Sequence, residues 1–161
     1  MCFSLALAPS KPERMALGID TATVYISEDG GANWSWRGAG IYANGVQSVA
    51  FDPANADILF AAGTLSSSTT SNAQADGIYC SRDAGATWKR VLAASYFRDL
   101  AENQYFVFMD ARASGSATIL AVTHNSDVST LLIRSTDSGE TWAPYALPAT
   151  GVCPAMTTTA D

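Results

Sequence analysis

Few side chains in this sequence have the residue types and spacing that reaction chemistry requires. His124 is the only histidine, and neither a serine nucleophile motif nor a second metal ligand lies at a useful interval from it. Cys2, Cys80 and Cys153 are far apart, odd in number and without metal-type spacing, so neither a zinc site nor a full disulfide framework is indicated. We interpret Cys80 as a small buried residue of a strand. The sequence therefore predicts no metal site and no cofactor.

Two aromatic residues, Trp36 and Tyr42, are candidates for substrate binding. An aromatic face that is exposed in a cleft can stack on a sugar ring, whereas a buried one contributes to a core or to packing between sheets. The sequence leaves both alternatives open.

The elements that must position these residues are organised around an eight-residue pattern, Ser-x-Asp-x-Gly-x-x-Trp, which occurs three times. Its Asp residues fall at positions 29, 83 and 137, so successive copies are 54 residues apart. A fixed period in this range is typical of repeated supersecondary units. The motif residues are Ser27, Asp29, Gly31 and Trp34, then Ser81, Asp83, Gly85 and Trp88, and finally Ser135, Asp137, Gly139 and Trp142.

The spacing within the motif predicts a β-turn that is closed by its own side chains. The Asp can accept backbone N–H bonds across the turn, the Ser hydroxyl can make a second local bond, and the Gly can take a positive φ. Each copy follows an apolar, strand-like run, so we expect it to join two antiparallel strands of a hairpin. The Trp would then begin the outgoing strand and cover the boundary between neighbouring sheets.

This pattern resembles the Asp box, or bacterial neuraminidase repeat. Proteins that carry it are β-propellers, and they include sialidases, xyloglucanase-type glycoside hydrolases, sortilin-type receptors and photosystem assembly factors. The resemblance implies an all-β fold of four-stranded antiparallel blades. It also implies that the motifs lie on the rim, away from the mouth of an active site, and that their twelve residues are structural.

The 161 residues accommodate about three blades, covering approximately 2–40, 45–93 and 104–148, with 149–161 as a tail or the start of a further blade. A polar insertion, Leu65 to Asp76, separates two strands of the second blade and is interpreted as a solvated loop. The predicted strands cover 3–8, 15–19, 24–27 and 35–37 in the first blade, 46–51, 58–62 and 77–81 in the second, and 105–109, 119–123 and 131–134 in the third.

Three blades are fewer than the four to eight that usually close a propeller. Open sheet faces and edges favour association. We therefore expect either a fragment of a longer chain, which we favour, or a ring that several copies close.

A second resemblance concerns the first two blades. The runs PSKPERMALGIDTATVY, GVQSVAFDPANADILFAAGT and GIYCSRDAGATWKR are similar to the N-terminal blades of xyloglucanase-type hydrolases. The resemblance implies that Asp20 occupies the position of the catalytic base of an inverting hydrolysis of β-glucan, whose acid comes from a second propeller. At the following turn, Ala22 and Thr23 replace the glycine pair of that family. The alternative role for Asp20 is to cap a turn.

Charge and composition limit the classes of molecule that this chain is expected to bind. A net charge of −6 without a basic cluster argues against nucleic acid, and no apolar run approaches the ~20 residues of a membrane span. The expected partner is a polysaccharide or other glycan, and the family resemblance favours an extracellular location although no signal peptide is evident. The alternative is a non-catalytic propeller that binds protein or glycan. A sialidase is disfavoured because no Phe-Arg-Ile-Pro type motif accompanies the arginines.

Overall fold

The structure is a computed structural model that describes residues 1–21, 23–63, 77–93, 104–112, 118–125 and 130–145. In these ranges it contains three antiparallel four-stranded sheets, each of which follows the order of its strands along the chain. Sheet 1 consists of β1 (Cys2–Ala8), β2 (Lys11–Ile19), β3 (Thr23–Ser27) and β4 (Ser35–Trp36). Sheet 2 consists of β5 (Val46–Phe51), β6 (Leu59–Gly63), β7 (Gly77–Ser81) and β8 (Lys89–Ala93). Sheet 3 consists of β9 (Gln104–Arg112), β10 (Thr118–Asn125), β11 (Thr130–Ser135) and β12 (Ala143–Tyr145).

The three sheets lie side by side, with their first strands in contact. Strand β1 contacts β5, and β5 contacts β9. Sheet 2 lies between sheets 1 and 3 and is buried on both faces, since every residue of β6 and β7 is buried. The predicted all-β fold of four-stranded antiparallel sheets is confirmed.

Two apolar clusters fill the spaces between the sheets. The cluster between sheets 1 and 2 joins Ala16, Val24 and Ile26 to Leu59 and Tyr79, among others. The cluster between sheets 2 and 3 contains Ala50, Phe60, Ala62, Ile78, Cys80 and Ile133. Cys80 is 4% exposed, which agrees with its interpretation as a small buried strand residue.

The structure extends several predicted strands. Strand β2 begins at Lys11 rather than Met15, because the polar residues Lys11 and Arg14 are held by ion pairs to Glu28. Strand β9 continues to Arg112, so its last residues belong to the sheet and not to the connection predicted from Asp110 onwards. The predicted loop at 65–76 and the predicted tail at 149–161 lie outside the described residues.

The three motif turns share one hydrogen-bond pattern. In the first, the Ser27 hydroxyl donates to Asp29 Oδ1 at 2.8 Å and accepts the Gly31 N–H at 2.9 Å. Asp29 Oδ1 also accepts the Asn33 N–H at 2.8 Å. The second turn repeats these bonds with Ser81, Asp83, Gly85 and Thr87, and the third with Ser135, Asp137, Gly139 and Thr141. Each turn joins the third and fourth strands of its sheet, as predicted.

The motif tryptophans differ in what their indoles contact. Trp34 Nε1 donates to Gly31 O and Trp142 Nε1 to Gly139 O, so each stays over its own turn. Trp88 Nε1 instead donates to Arg37 O in the segment that follows sheet 1, at 2.7 Å. The Trp residues were predicted to cover the boundary between neighbouring sheets; of the three, Trp88 also makes an indole N–H bond across a boundary, whereas the other two indole N–H groups bond locally.

The glycine at the fifth position of the motif is the point where one sheet meets the next. Gly85 has φ 81°, and a Cβ there would lie 2.3 Å from Ile26 Cδ1 of sheet 1. Gly31 occupies the same motif position with φ 92°, but a Cβ there would meet Met15 Sδ at an ordinary 3.5 Å.

This difference predicts unequal costs for the same substitution. Gly31→Ala and Gly85→Ala both place a Cβ on a residue with left-handed backbone, which should lower the free energy of unfolding by about 1–2 kcal/mol in each case. Gly85→Ala must also displace the buried Ile26, which adds about 1–3 kcal/mol. Urea unfolding of both variants measures the difference. Equal losses would show that Gly85 does not limit the approach of the two sheets.

The lowered pKa values of the motif carboxylates predict that the protein loses stability in acid. Hydrogen bonds from the side chain and N–H of Asn33, and from Ser27, lower the pKa of Asp29 from 3.8 to about 2. Bonds from Thr141 and Ser135 lower the pKa of Asp137 to about 2, against some desolvation. Burial opposes ionisation of Asp83, but bonds from Thr87 and Ser81 outweigh it, so its pKa is also lowered.

Because these pKa values lie below those of the unfolded chain, the stabilisation is present above about pH 4 and is lost as the pH falls towards 2. We expect the unfolding temperature to fall over this interval. Asp29→Asn should make the decline shallower, because one titrating carboxylate is removed. Thermal unfolding in a pH series measures both, and identical slopes for the two proteins would contradict this account.

Candidate functional site

Asp20 lies at the end of sheet 1 that is opposite the motif turn. It follows β2 directly, and β3 runs from this turn to Ser27 of the first motif. The Asp20 N–H donates to Met1 O at 2.9 Å, and Asp20 forms an isolated antiparallel bridge with Gly45. The backbone of Asp20 is thus held on two sides, by Met1 before β1 and by Gly45 in the segment that leads into β5.

The turn after Asp20 holds two threonines in an unfavourable backbone conformation. Thr21 has φ 63° and Thr23 has φ 66°, in the left-handed region that β-branched residues avoid. The Thr23 side chain is buried, and its hydroxyl has no hydrogen-bond partner in the described part of the chain. Thr21 Oγ1 donates to Asp20 O at 2.6 Å, which is a local bond only. The turn is therefore strained, and its own side chains do little to stabilise it.

Trp36 and Tyr42 are both exposed. Trp36 is on β4, opposite Tyr25, and is 54% exposed. Tyr42 is 78% exposed and lies three residues before Gly45, the residue that bridges to Asp20. The structure thus brings the Asp20 turn and the segment that carries Tyr42 to the same end of the molecule, while Trp36 lies on the outer strand of sheet 1.

A charged network that could not be foreseen from the sequence lies at the end of sheet 1 that carries the first motif turn, which we call the motif end. Arg14 is 8% exposed, forms ion pairs with Glu28 at 2.9 Å and with Asp57, and donates to Ala56 O at 2.8 Å. Burial acts to lower the pKa of Arg14, but Asp57 and Glu28 outweigh it and raise the pKa. Arg14 therefore fastens sheet 1 to the connection between β5 and β6. Because this end is opposite Asp20, the network joins sheets and is not part of the Asp20 turn.

A cleft of about 430 Å³ lies between the outer strands of sheet 2 and the third motif turn. It too was missed, because its residues are distant in sequence. Arg82 crosses one side of it and donates to Glu140 at 3.1 Å. Burial raises the pKa of the Cys80 thiol to about 11, so this thiol is protonated at neutral pH and is a poor nucleophile. The lining residues are Cys80, Arg82, Thr87, Trp88, Lys89, Arg90, Val91, Gly139 and Glu140.

In the ranges that the structure describes, no three His, Cys, Asp or Glu side chains gather to form a metal site. In the same ranges, no helix is long and apolar enough to cross a membrane.

Comparison with known proteins identifies the fold. No family model matches the sequence, and no curated protein matches it either. Solved structures do match. "YCF48 bound to D1 peptide" has 18% identity and a TM-score of 0.60, over 94% of this chain and 41% of that chain. The GH74 enzyme of Niastella koreensis has 21% identity and a TM-score of 0.56, over 96% of this chain and 23% of that chain. YCF48 from Cyanidioschyzon merolae has 18% identity and a TM-score of 0.56, over 89% of this chain and 36% of that chain.

These structures are β-propellers, so the three sheets have the fold of part of a β-propeller. The chain spans less than half the length of each of these three structures. At such low sequence identity the likeness concerns the fold alone.

The strained turn yields a stability prediction. Thr23→Gly should raise the free energy of unfolding by about 1 kcal/mol, because glycine adopts a φ of 66° without the penalty of a Cβ and carries no buried hydroxyl. Thr23→Ala is the matched control, since it removes the hydroxyl but keeps the Cβ. The unfolding temperature should be higher for Thr23→Gly than for Thr23→Ala, and that of Thr23→Ala should equal or exceed that of the wild type. A lower unfolding temperature for Thr23→Gly would show that the Thr23 side chain is a net stabiliser.

Proposed function

We propose that this chain is a segment of an Asp-box β-propeller that acts on β-glucan polysaccharide of the xyloglucan type, with Asp20 as the catalytic base in a longer protein. The observation that carries the proposal is the shape of the turn beside Asp20. Thr23 adopts the left-handed backbone that a glycine would adopt freely, although the sequence has lost the glycine pair expected there. Strain that persists in this way is characteristic of functional positions.

The proposed role of Asp20 is to accept a proton from the water that attacks the anomeric carbon. A base needs a fixed position relative to the sugar. The Asp20 N–H bond to Met1 O and the bridge to Gly45 supply such a position for the backbone. Tyr42, in the segment that ends at Gly45, and Trp36 would stack on the sugar units of the polymer.

The isolated chain is proposed to be inactive. An inverting hydrolysis needs an acid and a base whose carboxyl groups are roughly 6.5–9.5 Å apart, with a water between them. The carboxylates of Glu28 and Asp57 are engaged by Arg14 at the opposite, motif end of sheet 1. The acid would come from another part of the longer protein, so this chain would contribute binding and the base alone.

A second candidate is a non-catalytic propeller that binds a protein or a glycan. Two observations favour it. Ala22 and Thr23 replace the glycine pair of the hydrolases, and one of the similar structures was solved as YCF48 bound to a D1 peptide. In this case Asp20 would cap its turn, and the exposed aromatic residues would still take part in binding.

Affinity electrophoresis in gels that contain xyloglucan tests the binding part of the proposal. The 161-residue chain should be retarded, and Tyr42→Ala and Trp36→Ala should each weaken binding about 2–10-fold, as expected for the loss of one stacking contact. Tyr42→Phe keeps the ring and should bind like the wild type. Asp20→Asn should also bind normally, because it keeps the shape of the side chain. Absence of retardation would remove the sugar-binding proposal.

Release of reducing ends from xyloglucan tests the catalytic part. The 161-residue chain should release none, whereas a longer protein that contains it should do so. In that protein Asp20→Asn should lower the rate by about 10²–10⁴-fold, which is the usual contribution of a general base. A longer protein that binds xyloglucan but does not cleave it would support the non-catalytic alternative.

A further inference from the structure

The cleft between the outer strands of sheet 2 and the third motif turn is positively charged, and we call it the basic cleft. Arg82, Lys89 and Arg90 contribute three positive charges, and Glu140 contributes the one carboxylate among its lining residues. The chain as a whole has a net charge of −6, and these three residues are a third of its nine lysines and arginines. Because a cleft lined by charges of one sign focuses the local potential, this part of an acidic protein should attract anions.

The repeated motif does not require these cations. Arg82 is the second residue of its motif, and Lys89 and Arg90 directly follow the motif tryptophan Trp88. The other two motifs form the same turn with different residues at these three positions. They are Glu28, Ser35 and Trp36 in the first copy, and Thr136, Ala143 and Pro144 in the third. The positive charge is therefore particular to the boundary between sheets 2 and 3, and the turn alone does not explain it.

Arg82 and Lys89 can both donate further hydrogen bonds. In the described ranges, the side-chain bonds of Arg82 come from Nη2, to Ser138 O at 3.2 Å and to Glu140 Oε1 at 3.1 Å. Its Nε and Nη1 are not engaged by a residue of those ranges, and its side chain is 48% exposed. Lys89 is exposed and makes no ion pair with any residue that the structure describes.

The bond between Arg82 and Glu140 indicates the kind of group that the basic cleft would bind. Arg82 already binds a carboxylate, and a guanidinium group can donate two parallel N–H bonds to one. The carboxylate of a ligand could displace that of Glu140, whose side chain is 68% exposed, while Lys89 adds a second positive charge. The Cys80 thiol adds no opposing charge at neutral pH, because burial raises its pKa to about 11.

The size and shape of the basic cleft favour a sugar unit over a single ion or a peptide strand. Its volume of about 430 Å³ lies within the range of roughly 300–1,000 Å³ for small-ligand sites, so it can hold more than a carboxylate. Val91 adds apolar surface and Thr87 adds a hydroxyl group. An extended acidic peptide would be expected to pair with the edge strand β8. That pairing is disfavoured because the register of β8 shifts between Arg90 and Leu92, which leaves Val91 as a bulge.

We propose that the basic cleft binds the carboxylate of a uronate unit in an acidic polysaccharide. Arg82 and Lys89 would bind the carboxylate, and the sugar ring would lie against the apolar surface at Val91. The cleft adjoins the motif turns of sheets 2 and 3, whereas Asp20 lies at the opposite end of sheet 1 from its motif turn. The proposal therefore goes beyond the proposed function and does not depend on hydrolysis at Asp20.

The test is an NMR titration of the 161-residue chain with trigalacturonate, and with its full methyl ester as the uncharged control. Trigalacturonate should shift the amide signals of β8 and of the third motif turn. The ester should bind at least about tenfold more weakly, as expected for the loss of a hydrogen bond between charged groups. Added salt should weaken binding of trigalacturonate, because the cations are exposed. The absence of localised shifts, or an equal affinity for the ester, would overturn the proposal.

Two substitutions with opposite expected effects make the test specific. Lys89→Gln should weaken binding of trigalacturonate about 2–5-fold, as expected for one exposed ion pair. Glu140→Gln should strengthen binding, because it removes the carboxylate that competes for Arg82. Arg134→Gln is the matched control, since it removes the same charge elsewhere and should leave binding unchanged. Ile133 packs between sheets 2 and 3, so the adjacent Arg134 points to the other face of sheet 3.

Lys89 is chosen ahead of Arg82 because the bond from Arg82 to Ser138 O also joins two sheets. Equal effects of Lys89→Gln and Arg134→Gln would show that binding follows net charge and not the cleft, which would overturn the proposal. Weaker binding by Glu140→Gln would also contradict it. A glutamate tetrapeptide that binds as tightly as trigalacturonate would identify an acidic peptide as the occupant instead, and displacement of trigalacturonate by an equal concentration of sulfate would identify a site for free anions.

Discussion

The hydrogen bonds that Ser and Asp side chains make within each motif turn are the constraint on which the rest of the structure depends. Ser27, Ser81 and Ser135 are almost fully buried, and their hydroxyl groups hold the turn backbone in place of a neighbouring strand. Because each turn satisfies its own polar groups, it can be placed against the next sheet without leaving buried donors unpaired. The glycine in the turn then allows the turn to lie close to a neighbouring sheet. The turn also joins the third and fourth strands of its own sheet into a hairpin.

Packing between the sheets builds on this local structure and is more variable. The Trp88 indole bonds the second turn to Arg37, in the segment that follows sheet 1, whereas the Ala84 N–H of this turn donates to Asp57 O within sheet 2. The third turn is bonded to sheet 2 by Arg82. The Trp142 N–H bonds to its own turn while the side chain packs against the cluster between sheets 2 and 3, and a cleft remains between the outer strands of sheet 2 and the third turn. One repeated turn thus supports two different boundaries, because side chains outside the motif determine how closely each boundary closes.

The sequence was sufficient to predict what is local and insufficient for what is not. The turns could be predicted because Ser81, Asp83 and Gly85 make their bonds within five residues of one another. The start of β2 was missed because Lys11 and Arg14 look like turn residues until their partners Glu28 and Asp57 are known. The indole bond of Trp88 to Arg37 and the cleft were missed for the same reason. Asp20, Trp36 and Tyr42 could be singled out from residue type and family resemblance. The approach of the Tyr42 segment to Asp20 depends on the Asp20–Gly45 bridge, which has no local signal.

The two ends of sheet 1 differ in how they accommodate left-handed backbone, and this difference bears on where function resides. At the motif end, Gly30 and Gly31 adopt positive φ without a side chain to resist it, and side-chain bonds stabilise the turn. At the other end, Thr21 and Thr23 adopt it against their Cβ atoms, and the Thr23 hydroxyl is buried without a described partner. An end that stabilises itself suits a scaffold. An end that remains strained is held by the surrounding sheet, and this strain is what supports the proposed role of the turn in positioning Asp20.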